Sequence, residues 1–187
     1  MTGLCSDAEL QRLMQSMQSN DADELQVADK LIADFPKDPR LHFLRGSILA
    51  SIGRPIEALP ALREAVKLAP DFAIARFQLG FFQLTSGEAE DALSTWGPLA
   101  LLDEGHYLRD FVAGLTHLIR DEFAPAIGQL RAGIAANDEN LPLNRDMQLI
   151  IDRLEELLSE AGEEEGEVTA SAASLLLSHF SGGGRPN

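Results

Sequence analysis

Apolar side chains recur along this chain at intervals of three and four, in runs closed by glycine or proline. Leu41, Leu44, Ile48 and Leu49 predict a helix over Pro39–Ser51, which Gly53 stops. Pro55 stands where a missing N–H costs nothing, in the first turn of a helix that carries Ala58, Leu62, Ala65 and Val66 as far as Pro70. The same periodicity predicts helices over 71–86, 88–102, 106–120 and 123–136. A last amphipathic run, Leu143–Leu158, places Leu143, Met147, Ile150, Ile151, Leu154 and Leu158 on one face and Arg145, Asp152, Glu155 and Glu156 on the other. At the other end, Ser6-Asp-Ala-Glu9 has the reciprocal spacing of a capping box.

The runs are related to one another. A shift of 34 residues superposes Gly46, Gly80 and Gly114, then Ala58, Ala92 and Ala126, then Leu62, Trp96 and Leu130. It also superposes the turn residues Gly53, Gly87 and Asp121, and Pro36 on Pro70. Small, large and turn residues each keep their own column, so the chain repeats a helix–turn–helix unit. The glycines and alanines predict that the two helices of a unit cross there, because only a small residue lets two backbones approach. The larger residues at 62, 96 and 130 are then expected to fill the space between one pair and the next.

A unit of that length with Leu79-Gly80 in its first helix, Ala92 near the start of its second, Trp96 four residues on and a closing proline resembles the tetratricopeptide repeat (TPR) family. In that register the units span 39–72, 73–106 and 107–140, after a degenerate unit at 5–38 that keeps Ala28, Leu31 and Pro36 but has Arg12 in the glycine column. The resemblance implies an all-α fold: a right-handed α-α superhelix of antiparallel helix pairs, a TPR solenoid, closed by a capping helix at 141–161. Stacked units of this kind bury a continuous core and need capped ends. Residues 162–187 follow as an acidic linker and a tail containing the apolar stretch Val168–Phe180.

Composition agrees with an all-helical chain, since 30 Leu and 24 Ala stand against 4 Val. Fifteen basic and thirty acidic residues give a net charge of −15, which repels nucleic acid and anionic membrane surfaces. Neither is therefore expected as a partner. No stretch approaches the roughly 20 apolar residues of a membrane-spanning helix, and the start of the chain lacks the basic and apolar regions of a signal peptide. The single cysteine, Cys5, has no intramolecular disulfide partner. These features together point to the cytoplasm.

Signatures of catalysis are missing from the sequence: there is no phosphate-cradling glycine loop, no dinucleotide fingerprint, no HExxH and no cysteine pair for zinc. His42, His106, His117 and His179 fall in different columns or in the tail. No enzyme activity, cofactor or metal is expected. Function is carried instead by what the resemblance implies for the first helix of each unit, which lines the concave face of a TPR array. The positions concerned are Arg40, Phe43 and Ser47; then Ile74, Phe77, Phe81 and Leu84; then Leu108, Phe111, Leu115 and Leu118. An apolar stripe that large, facing solvent, calls for a cover. The expected cover is a peptide or helix of another protein, with the chain's own Val168–Phe180 or a second copy as alternatives. Arg45 and Arg76 offer a phosphate-reading alternative. The size and acidity also resemble the small TPR chaperones of secretion systems. An enzyme-associated regulatory module and a self-associating structural repeat complete the alternatives.

Overall fold

The computed structural model describes residues 3–19 and 23–163, and within them the chain is helical. The helices are α1 Asp7–Ser19, α2 Glu24–Asp34, α3 Pro39–Ser51, α4 Pro55–Leu68, α5 Ala73–Thr85, α6 Ala89–Trp96, α7 Tyr107–Ile119, α8 Phe123–Ala136 and α9 Leu141–Glu163. The chain forms two compact units, divided between Leu79 and Gly80 within α5. The tail stretch Val168–Phe180 and His179 lie outside the described residues.

Glycine sets the closeness of each hairpin. A Cβ built on Gly46 of α3 would lie 2.7 Å from Cγ of Leu62 in α4 and 3.4 Å from the Ala58 carbonyl oxygen. At Gly114 of α7 the same atom would meet Leu130 at 2.7 Å and the Ala126 carbonyl at 3.1 Å. At Gly80 it would collide with Nε1, Cδ1 and Cε2 of the Trp96 indole. The glycine and alanine columns therefore mark the helix crossings, as the repeat pattern predicts. The large residues do something other than expected: Leu62, Trp96 and Leu130 each seat directly on the glycine of their own pair.

The turns between paired helices share one geometry. Gly53, Gly87 and Asp121 all take positive φ, at 73°, 85° and 56°. In each turn the next N–H reaches back to the same carbonyl: Arg54 to Leu49 at 2.8 Å, Glu88 to Gln83 at 2.9 Å, and Glu122 to His117 at 2.9 Å. This is the Schellman closure, which satisfies carbonyls left open at a helix end. Glycine takes that conformation freely, whereas Asp121 bears some strain, eased because a short polar side chain tolerates the left-handed region.

Three local features depart from, or extend, the periodicity. The helix expected to run from 88 to 102 stops at Trp96 and continues as a 3-10 segment, Gly97–Leu101. Pro98 has no N–H to give the Ser94 carbonyl and its ring crowds that oxygen, and the α geometry gives way there, although α4 runs on through Pro60. The last helix is longer than Leu143–Leu158, because Asn140 accepts from the Leu143 N–H and Asn137 is buried in a closed amide network with Asn140 and Asn144. Leu143, Met147, Ile150, Ile151 and Leu154 of α9 are buried, while Leu158 is exposed. The capping box forms as spaced: Glu9 N–H donates to Ser6 Oγ and Ser6 N–H donates to the Glu9 carboxylate.

Candidate functional site

The first-helix positions divide sharply by burial. Phe77, Leu84, Leu108, Phe111, Leu115 and Leu118 are buried, so they do not form the solvent-facing stripe expected of them. Arg40, Phe43, Ser47, Ile74 and Phe81 are partly exposed. Ile74 and Phe81 lie seven residues apart on one face of α5, with the buried Phe77 between them.

For Phe111 the cause of burial is visible. A Cβ on Gly133 of α8 would collide with Cδ1 and Cε1 of the Phe111 ring, so the ring occupies the space that a side chain at 133 would fill. Tyr107 meets the same ring edge-on at a centroid distance of 5.8 Å and stacks on His106. Phe111 thus helps to hold α7 on α8, a role the column arithmetic assigned only to the glycines, alanines and their large partners. Phe43 shares the repeat column, and in its unit the position matching 133 is Ala65. It packs edge-to-face on Phe72 at 5.3 Å and remains partly exposed.

The charged members of the face are engaged within the chain. Arg40 binds the carboxylates of Asp38 and Asp7 and the Cys5 carbonyl. Ser47 Oγ donates to the Phe43 carbonyl. Arg45 pairs with Asp29 at 2.6 Å, and Arg76 donates through Nε and Nη2 to the Pro70 carbonyl. His42, one repeat before Arg76, meets the matching Pro36 carbonyl at 2.9 Å. These two side chains therefore share a local task, closing the loop that precedes their helix. The phosphate-reading alternative loses its free guanidiniums.

The remaining chemistry is structural. His106 caps α7 through Nδ1, accepting from the Leu108 N–H, and His117 is paired with Glu122 across the following turn. Among the described residues no group of three His, Cys, Asp or Glu could hold a metal ion, and no helix is long and apolar enough to cross a membrane. Burial, with a contribution from Glu139, raises the pKa of Tyr107.

Asp38 is the residue that the column reading passed over. Its side chain is fully buried at the N-cap of α3. Burial pushes its carboxyl upward, but hydrogen bonds from Arg40 and from the Cys5 and Arg40 N–H groups outweigh that and hold it below the usual carboxylate range. The Asp38-Pro39 pair at a helix start is the sequence signal that could have found it.

Comparison with known proteins adds to this geometry. No protein-family model and no curated protein sequence matches the chain. Among solved structures it resembles MamA, a TPR-repeat protein. A MamA RS-1 ArsTM double mutant matches with a TM-score of 0.58 at 13% identity, over 92% of this chain and 92% of that one. MamA 41-end from Desulfovibrio magneticus RS-1 matches with a TM-score of 0.57 at 14% identity, over 87% of this chain and 96% of that one. At such identities the likeness speaks for the fold. Glycine-seated hairpins, left-handed turns on a common register and this likeness together make the chain an all-α fold of the TPR-solenoid type.

Proposed function

We propose that the chain is a non-catalytic protein–protein interaction adaptor that takes an apolar peptide or helix of another protein on the exposed part of its first helices. TPR-type helical solenoids are interaction scaffolds, and their stacked helices offer extended surfaces for a partner. The reading rests chiefly on one observation: Ile74 and Phe81 stay partly exposed on a common face of α5 while Phe77 between them is buried. Two apolar anchors seven residues apart suit a partner helix read at the same spacing. Phe43 of α3 offers the matching contact in the first unit. The net charge of −15 favours protein over nucleic acid or anionic lipid as partner. In this reading the repeats run 39–72, 73–106 and 107–140, and the sealed α7 column contributes stability rather than binding.

A photo-crosslinking side chain placed at 81 or 74 is expected to form a discrete adduct with a partner protein, and one at the exposed Ile56 is not. Phe81→Glu and Ile74→Glu should abolish partner capture with the helical circular dichroism unchanged. Capture that survives both substitutions rejects the reading. Phe77→Glu is unsuitable for this purpose, because a carboxylate forced into a buried ring's place destabilises the fold itself.

A further inference from the structure

The start of α1 is tied to the start of α3 by a polar latch. The Cys5 N–H donates to Asp38 Oδ2 at 2.9 Å, and the Cys5 carbonyl accepts from Arg40 Nη2 at 2.7 Å. One backbone residue is therefore gripped on both sides by groups 33 and 35 positions further on. Arg40 binds the same carboxylate through Nε at 3.0 Å and Nη2 at 2.7 Å, and reaches Asp7 through Nη1 at 3.1 Å. One repeat later, Phe72 and Ile74 stand in the columns of Asp38 and Arg40, and after them His106 and Leu108. The double-carboxylate grip is thus particular to the place where α1 meets α3.

The rest of α1 is anchored by one apolar stripe. Leu10 and Leu13 join Ala28, Leu41, Leu44 and Ile48 in one buried cluster with Met17 packed against it, while Met14 is exposed. The Arg40 side chain is about a third exposed, so water can replace its bonds one at a time. A single apolar stripe at the end of the helical array and a polar clasp partly open to water are the marks of an element that opens below the global unfolding free energy. We propose that α1 is a releasable strap, held by the Asp38–Arg40 latch, which lifts from α3 while the α3/α4 hairpin stays folded and so bares Leu41, Leu44 and Ile48.

The chain carries its own reporter. Cys5 is its one cysteine, and the thiol is buried with its donor aimed at Glu9. Modification of Cys5 in the intact chain by an aromatic disulfide reagent at neutral pH reads the opening of the strap. A companion chain, Cys5→Ser with Ala61→Cys, reads the opening of the hairpin, since Ala61 is buried in α4. Cys5 is expected to react faster than Cys at 61, with a rate insensitive to low denaturant. Arg40→Ala and Asp38→Asn should accelerate Cys5 modification roughly 10- to 100-fold and leave the rate at 61 unchanged. Equal rates at 5 and 61 with the same denaturant dependence would overturn the proposal, as would latch variants that leave Cys5 unmoved. Should Arg40→Ala fail to fold, Asp38→Asn, which retains an N-cap side chain, and the denaturant dependence of the unsubstituted chain decide the question.

Discussion

The hairpins α3/α4 and α7/α8 follow one plan yet leave the same phenylalanine column in opposite states. Both cross at a glycine with a leucine seated on it, and both turn through a left-handed residue. Phe111 is sealed against α8, whereas Phe43 is partly exposed. One local difference accompanies this. Position 133 is glycine, and position 65, its counterpart in α4, is alanine. The ring of Phe111 fills the volume that a Cβ at 133 would need. At 65 that Cβ is present, and Phe43 packs on Phe72. A column of identical residues thus holds two core residues, Phe77 and Phe111, and one partly exposed residue, Phe43, and Phe77 is buried although the position matching 133 in its repeat is Leu99.

Substitutions at the two rings probe this contrast most strongly. Phe111→Ala should cost about 3–5 kcal/mol, the usual range for a fully buried ring, and Phe43→Ala clearly less, both read from urea midpoints at constant slope. Equal losses would break the contrast. Next in size is Gly133→Ala, which restores the methyl group and drives the Phe111 ring from its seat, at about 1–3 kcal/mol. The same substitution at Gly128, five residues earlier in α8 with nothing within 4 Å of its added Cβ, should stabilise by about 0.5–1 kcal/mol. Opposite signs within one helix are the sharpest form of the test.

The latch at α1 adds a pH dependence on the acid side, whereas the raised pKa of Tyr107 in α7 acts only on the alkaline side. Asp38 has a lowered pKa when folded, so its stabilisation is present above the ordinary carboxylate value and is lost as pH falls through the folded one. Burial, together with the charge and hydrogen bond of Glu9, raises the pKa of the Cys5 thiol. Its contribution is full below the ordinary thiol value and is lost as pH rises through the folded one. Hydrogen exchange in α1 should therefore be slowest, relative to its intrinsic rate, between those limits. Exchange in α7 provides the reference on the acid side. A protection profile for α1 that tracks α7 as pH falls contradicts this account. The smallest expected effect belongs to Asp121→Gly, which relieves a left-handed residue and should raise the midpoint slightly.

Much of the fold was legible in the residues. Glycine columns mark close crossings because any larger side chain collides there, and the Gly53, Gly87 and Asp121 column marks left-handed turns because few residues adopt them cheaply. The break at Pro98 is not legible from its missing N–H alone, since α4 runs through Pro60. The candidate face was read less well. Column position says which side of a helix a residue occupies, and it does not say whether the neighbouring helix closes over that side. Leu108, Leu115 and Leu118 were placed on an open face and are buried.

By itself the sequence determined the helices, their pairing and their turns, since these depend on backbone constraints acting within a few residues or across one tight hairpin. Tertiary structure alone decided which first-helix side chains remain open and that Asp38 and Arg40 grip Cys5 from more than thirty residues away. Both outcomes turn on whether atoms from distant parts of the chain occupy the same few cubic ångströms, and linear spacing carries no record of that.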